Sequence, residues 1–469
     1  MLRLYNSLSR KVENFKSLQA SKAMPDGRQV GMYTCGPTVY QYAHIGNFRA
    51  YLVADILVRT LKANKFDVNF IMNITDVGHL VSDADTGEDK LEKSAKKEGK
   101  TAWEIAKFYT DAFLNDYDAL SLTRPTVLAK ATDHIAEQID LVKRLEEKGY
   151  TYTISDGVYF DTAKFPEYGE LSTLDQIKEG ARVEANSEKR NPRDFALWKF
   201  SPHASKRDME WESPWGKGFP GWHIECSAMS MKYLGDTLDI HTGGIDHISI
   251  HHTNEIAQSE AATGKKFVNF WTHVAFLLVG GQKVSKSLGN GYLLSDLRTN
   301  GYKPLHLRYL YLQTHYRQEM NFTWESLEAA KNAVDRLHNT VFTWTEGEKG
   351  TKEFETLFLD ALNDDLSTPK ALAVMWDMLK ADVPTEQKLH SLFKMDEVLG
   401  LGLKRYLSTA KGEIKGIPAE VTRLIEDRKK ARLDKDFARS DELRDQIRAL
   451  GFDIQDNKEE VEIRKVTSE

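Results

Sequence analysis

Two short runs in this chain combine residue types that bind and neutralise phosphate. His44-Ile45-Gly46-Asn47 lies near the N-terminus, and Lys283-Val284-Ser285-Lys286-Ser287-Leu288-Gly289-Asn290 lies far downstream. A histidine and an amide at a helix start suit anion binding, because unpaired N–H groups and the positive end of the helix dipole gather there. Two lysines on a loop bounded by Gly280-Gly281 and Gly289 can close over a phosphate and stabilise charge that develops in a transition state. Gly243-Gly244-Ile245-Asp246 offers a turn that a nucleotide can approach closely. Gly244 and Asp246 are candidate nucleotide contacts there, Asp246 for ribose hydroxyls, with a purely structural turn as the alternative. Either phosphate motif alone is a common accident of sequence, so the weight falls on the pair and its order.

A second set has the chemistry of a metal site. Cys35 and Cys226 are the only cysteines, and each adjoins another motif. Cys35 stands shortly before His44, and Cys226 lies within Trp222-His223-Ile224-Glu225-Cys226-Ser227-Ala228-Met229. In His251-His252-Thr253-Asn254-Glu255, a helix would put His251 and Glu255 on one face. Thiolate, imidazole and carboxylate are zinc ligands. Two inert core cysteines are the alternative, and the neighbouring motifs tell against it. Two cysteines so far apart exclude a disulfide scaffold and fit a reducing, cytoplasmic setting.

These residues need a frame. Gln29 to Thr34 reads as a short strand, Asn47 to Asn64 carries helical spacing in Leu52, Val53, Ile56, Leu57 and Leu61, and Phe66, Val68, Phe70 and Met72 alternate as in a strand. Strand, helix and strand at this spacing predict an α/β fold with a Rossmann-like parallel sheet, whose ligands sit at the carboxyl ends of the strands. Leu238 to His241 and Val274 to Val279 read as strands of the second half of that sheet. The stretch 83–100 reads as a charged loop, 101–148 as helical, and strand-like runs flank a turn at Asp156-Gly157. Helical periodicity dominates from Leu305 to about Leu450, with a linker at 412–418. The 469 residues allow about three domains. The net charge of −6 gives no support for RNA binding by bulk electrostatics, so a nucleic-acid partner has to rest on motifs. No apolar run has the length of a membrane span, and the N-terminus lacks a secretory signal.

In their order and context the two phosphate motifs resemble the HIGH and KMSKS signatures of class I aminoacyl-tRNA synthetases. The chain as a whole resembles the cysteinyl-tRNA synthetase family, on Tyr33 to Tyr40, His44 to Asn47, Asn73-Ile74-Thr75-Asp76, Asp194 to Lys199, Trp222 to Met229, His251 to Gln258, Lys283 to Asn290, Thr314 to Gln318 and Asn321 to Trp324. The resemblance implies zinc held by Cys35, Cys226, His251 and Glu255, with the substrate thiolate bound to the metal. A soft metal of this kind can reject serine without a hydrolytic second site. It implies His44, Asn47, Lys283 and Lys286 as catalytic and ATP-binding residues, with magnesium accompanying ATP. Thr75, Trp222 and His273 are expected in the cysteine pocket, whereas His247 and His252 are expected as polar neighbours rather than ligands. Departures from the family pattern are Asn47 as the fourth residue of the first signature, Val284 where methionine is usual, Thr253 after the paired histidines, and Val77-Gly78-His79-Leu80 after Asp76.

The implied organisation is a catalytic domain in two halves, 1–131 and 221–279, around a connective insertion at 132–220. A junction at 280–320, a helical bundle at 321–411 and a small anticodon-binding domain at 412–469 follow. The expected partners are L-cysteine, ATP and tRNA(Cys), without a membrane and with a monomeric chain. Two rivals share the motifs: the cysteine ligase of mycothiol synthesis, which lacks an anticodon-binding tail, and a non-catalytic tRNA-binding paralogue. The first is disfavoured by Asp364 to Leu372 and Lys435 to Asp445, which look like the later domains of the tRNA enzyme. The second has no chemical reason to keep His44, Lys283 and Lys286.

Overall fold

Alternating apolar residues build two buried strands, β1 (Gln29–Thr34) and β2 (Asp67–Ile74), which pair in parallel. The crossover between them is the helix α1 (Ile45–Ala63), buried around most of its circumference. A third strand, β3 (Val127–Lys130), continues the sheet beyond β2. The second half consists of α2 (Trp222–Leu234), β4 (Leu238–Gly244), α3 (Thr253–Thr263) and β5 (Val268–Val274). The strand order is β5-β4-β1-β2-β3, parallel throughout. The order reverses between β1 and β4. In sheets of this kind the crevice at that reversal, outside the carboxyl ends of the strands, is where ligands bind.

The computed structural model describes residues 1–18, 28–78, 89–172, 186–201, 207–284, 289–408, 419–433, 436–450, 452–456 and 461–465. They form two units, 1–401 and 402–469. Between β3 and α2 the chain leaves the parallel sheet and builds a four-stranded antiparallel one from Thr151–Ile154, Gly157–Phe160, Phe195–Phe200 and Gly218–Pro220. After β5 a three-stranded sheet places Leu277–Val279 between Gln282–Lys283 and Met320–Phe322. Helices Trp324–Val341, Lys352–Asn363, Thr368–Lys380 and Thr385–Leu399 complete the first unit. The second unit packs Val421, Ile425 and Ile447 of two helices against Phe452 and Ile454 of a hairpin. Among the described residues no helix is long and apolar enough to cross a membrane.

Several local expectations change. The region 101–148 is not continuous helix: Ala102–Ala119 ends before β3, and a new helix starts at Ile135. The four residues of β3 are too few to show a period, and only Pro125 marks the break. Part of the charged loop is the helix Lys90–Glu98, capped by Asp89 and by left-handed Gly99, with Leu91 and Ala95 as its buried side. The hairpin turn is Ser155-Asp156, since Gly157 already pairs with Lys199 in its strand. The last sheet strand is Val268–Val274, and Leu277–Val279 belongs to the neighbouring sheet. The expected linker at 412–418 lies outside the described residues.

One buried ion pair ties α1 to the later helices. Asp55 accepts from Arg308 Nη2 at 2.6 Å, Arg59 Nε at 2.7 Å and the Thr123 hydroxyl at 2.6 Å. Arg308, fully buried, also donates to the carbonyls of Leu399 and Leu120. Burial works to raise the Asp55 carboxyl, but Arg308 and Arg59 outweigh it and hold the pKa below its ordinary value. Asp55→Ala leaves the Arg308 charge buried and is expected to cost about 3–5 kcal/mol. Urea unfolding of the full chain tests this, and an unchanged midpoint would refute the assigned role.

Candidate active site and metal centre

Cys35 follows β1 at the point where the strand order reverses. Its N–H donates to Thr242 O at 3.1 Å, which extends the pairing of β1 with β4, and Thr34 and Thr242 join through their hydroxyls at 2.8 Å. Gly36 then turns the chain hard against β2: its N–H donates to Asn73 Oδ1 at 2.7 Å, and a Cβ there would stand 1.7 Å from Asn73 O. The Cys35 thiol is therefore fixed by backbone on both sides. Cys226 is one turn into α2 and almost fully buried. His251 lies in a π-helical turn, Ile248–His252, that leads into α3. The Thr253 hydroxyl donates to Ile248 O at 2.7 Å and braces that wide turn. Glu255, fully buried in the first turn of α3, completes the group.

The four side chains offer two sulfurs, an imidazole nitrogen and a carboxylate oxygen, all within 4.8 Å of one another. Ligand atoms at the roughly 2.0–2.3 Å zinc distances of a tetrahedral site are separated by comparable lengths, so the donor set fits that ion. A hydrogen bond from Cys35, opposed by burial, lowers the Cys226 thiol, while burial and the Cys226 partner push the Cys35 thiol well up. Burial would suppress a charged His251, yet Glu255 and Cys226 carry its pKa up to about 10. Burial likewise opposes ionisation of Glu255, and the charges of His241 and His251 overcome it and hold the carboxyl below its ordinary range. The imidazolium proton thus stands where a cation is called for, and metal uptake has to release it. A second quartet, Cys35, His241, His252 and Glu255, is equally close-set. Both quartets share Cys35, which lines the large cavity of the crevice, but the first adds Cys226 and His251, which line it too, whereas the His241 and His252 of the second do not, so the first presents more of its donors toward a ligand.

That cavity, about 420 Å³, is also lined by His44, Gly46, Asn47, Lys283 and Val284. His44 caps α1: its Nδ1 accepts from Asn47 N at 3.3 Å, and Asn47 Oδ1 accepts in return from His44 N at 3.0 Å. This reciprocal cap makes His44 Nε2 the protonated nitrogen, a neutral donor whose charged form is further disfavoured by burial. The hairpin carrying Lys283 turns at Gly280-Gly281, both at positive φ, and brings Val284 within 3.7 Å of where a Cβ on Gly46 would stand. The Lys283 ammonium rests 4.1 Å from the Phe276 ring centroid. Lys286 lies outside the described residues, as does His79. Gly244, the last residue of β4, and Asp246 just beyond it line the same cavity.

Residues 22–332 match the family described as tRNA synthetases class I (C) catalytic domain, and residues 415–464 match the cysteinyl-tRNA ligase anticodon binding domain. The chain is 46% identical to a cysteine–tRNA ligase of Treponema denticola, over 97% of this chain and 98% of that one. It is 47% identical to cysteine–tRNA ligase 1 of Burkholderia lata, covering 98% and 96%. The chain belongs to the cysteine–tRNA ligase family. Its fold is that of class I synthetases: Mycobacterium tuberculosis methionyl-tRNA synthetase bound by methionyl-adenylate superposes with a TM-score of 0.55 at 15% identity, over 81% of this chain and 92% of that one.

For a cysteine–tRNA ligase, the remaining expected pocket residues divide. Trp222 lines the cavity and stacks on His251 with ring centroids 4.5 Å apart. Thr75 lines it too, but its hydroxyl is committed, accepting from Asn73 Nδ2 and donating to Glu225 Oε2, both at 3.0 Å. His273 does not line the cavity. It sits one layer behind, bonded through Nδ1 to the Ser7 hydroxyl and through Nε2 to His252, each at 2.7 Å. His252 reaches Cys35 Sγ at 3.3 Å and joins that layer, and His247 lines the cavity beside His251. Two residues escaped the sequence reading. His223 bonds His251 Nδ1 at 2.9 Å, and His241 bonds Glu255 Oε2 at 2.9 Å. Such partners orient ligands. The available signal was a histidine inside the buried run Leu238-Asp239-Ile240-His241, where a solvated role is impossible.

Proposed function

We propose that the chain activates L-cysteine with ATP and passes the cysteinyl group to the 3′-terminal ribose of tRNA(Cys), with the thiol read by zinc held on Cys35, Cys226, His251 and Glu255. The observation that carries this reading is that Cys35, Cys226 and His251 line one cavity at the reversal of strand order together with His44, Asn47 and Lys283, with the Glu255 carboxylate within 4.8 Å of the other three donor atoms. Zinc bound there supplies a soft Lewis acid that accepts a thiolate sulfur in preference to a hydroxyl.

The residues of the chain do the rest by positioning. In activation a carboxylate oxygen of cysteine bonds to the α-phosphorus of ATP, and the bond to the pyrophosphate leaving group breaks. The carboxylate is ionised at neutral pH, so no protein base is required. His44 Nε2–H and the N–H groups at the start of α1 donate to phosphate oxygens. Asn47, its carbonyl oxygen already engaged in the cap, has its amide N–H groups for the same task. Lys283, with Lys286 on the same loop, neutralises charge on the phosphates as pyrophosphate leaves, magnesium accompanying the nucleotide. Gly244 and Asp246 hold the ribose. Trp222, stacked on His251, walls the amino acid against the metal ligands. In the second step a ribose hydroxyl of the tRNA attacks the activated carbonyl and AMP departs.

The test is cysteine-dependent ATP–pyrophosphate exchange, followed by charging of tRNA(Cys) beside an amino-sugar acceptor. Exchange with charging of the tRNA alone is expected. Exchange with transfer only to the sugar would contradict the acceptor assignment. A chain ending at residue 401 keeps every described cavity-lining residue and the whole first unit. It is expected to retain exchange within a few-fold and to lose most tRNA charging. Normal charging by that truncated enzyme would refute an anticodon role for the second unit.

A further inference from the structure

Arg49 has no part in the chemistry just described, yet it is one of the largest fully buried side chains of the protein. It projects from the second turn of α1, the helix whose start carries His44. Its guanidinium donates from Nη1 to Ala275 O and Phe276 O, both at 2.7 Å, and from Nη2 to His315 O at 3.2 Å and Gln318 O at 2.6 Å. All four acceptors are main-chain carbonyls. Burial lowers its pKa to about 10, still far above neutrality, so the group remains charged.

A buried charge whose direct partners are all carbonyl dipoles, with only a longer-range attraction from the Glu319 carboxylate, is a poor device for stability, since an apolar side chain of similar volume fills such a space at lower cost. What an apolar side chain cannot supply is the rigid planar fork, which fixes two separate segments to one point. Both segments are roots of the sheet that carries Lys283. Ala275-Phe276 leads directly into Leu277–Val279, and 315–318 leads into Met320–Phe322, its parallel partner. The two segments are also bonded to each other, Ala275 N to Tyr316 O at 2.9 Å and Met320 N to Phe276 O at 3.0 Å. Phe276 is the ring on which the Lys283 ammonium rests. Beyond the loop the chain returns to the same helix, where Ile45 N donates to Tyr292 O at 2.9 Å.

We infer that Arg49 is a positioning residue: its fork sets the distance and angle between the phosphate-binding start of α1 and the lysine hairpin. This rests on the reading above that His44 and Lys283 act together on ATP. It makes Arg49 matter to the rate of adenylate formation and to ATP, and leaves cysteine, read by a different set of residues, nearly untouched.

Arg49→Lys keeps the charge and removes the fork, and Arg49→Gln keeps some donors and removes the charge. Pre-steady-state adenylate formation by full-length enzyme separates the outcomes, because burst amplitude counts folded active sites and the burst rate constant reports their geometry. Both variants are expected to lose at least 10-fold in rate constant per active site or in ATP affinity, with cysteine affinity from the same titrations changed less than about threefold. A lower amplitude with an unchanged rate constant, an equal loss of cysteine affinity, or failure of both variants to yield any folded enzyme would each assign Arg49 to stability and overturn the inference. Absence of a cysteine-dependent burst from the unaltered enzyme would instead refute the functional reading, so the two failures are distinguishable.

Discussion

Cys226→Ala is expected to release the metal and to lower cysteine-dependent ATP–pyrophosphate exchange by more than about 100-fold, the upper end of what the loss of even an outer partner of a metal ligand costs. The buried quartet loses one of its two sulfurs, so that Cys35, His251 and Glu255 are left as three donors where a tetrahedral site needs four ligands. Metal content of the purified variant and exchange kinetics check this. Full zinc retention, or exchange within a few-fold of the unaltered enzyme, would remove Cys226 from the ligand set.

Selection of cysteine over serine is expected to exceed about 10⁴ in kcat/KM for exchange, without hydrolysis of a mischarged product. Serine and cysteine differ little in size, and size alone separates substrates by only about 10–200-fold. The larger factor comes from ionisation. A free thiol has a pKa near 8.5, within reach of deprotonation by a dication, whereas a hydroxyl is far harder to ionise. A measured preference inside the size-only range would mean that the metal does not read the thiol.

The sheet's first half was legible because its signals are local. Val30, Met32 and Val68, Phe70, Met72 alternate, and Leu52, Ile56 and Leu61 recur at helical spacing, and these residues are buried as the patterns require. What the sequence hid falls into two kinds. Short elements carry no period: β3 has four residues, and the helix Lys90–Glu98 shows only Leu91 and Ala95 to the core amid charged neighbours. Partners at long range carry no spacing at all. Six of the 14 histidines, His223, His241, His247, His251, His252 and His273, meet around Cys35, Cys226 and Glu255, on α2, on β4 and β5 and in the helical turns before α3, which only the parallel sheet brings together. Arg49 is hidden in the same way. Nothing in the run Gly46 to Tyr51 separates a buried fork from an ordinary exposed helical arginine, because its acceptors lie on two segments near residues 275 and 315.

The central claim is that the substrate sulfur joins Cys35 and Cys226 at the metal. Zinc-edge X-ray absorption of the purified full-length enzyme tests this most directly, with no reliance on turnover. Two sulfur scatterers at about 2.3 Å are expected in the free enzyme, rising to three on addition of saturating L-cysteine and remaining at two with L-serine. A sulfur count that does not change with L-cysteine, in enzyme shown by the same titration to bind it, would contradict the account.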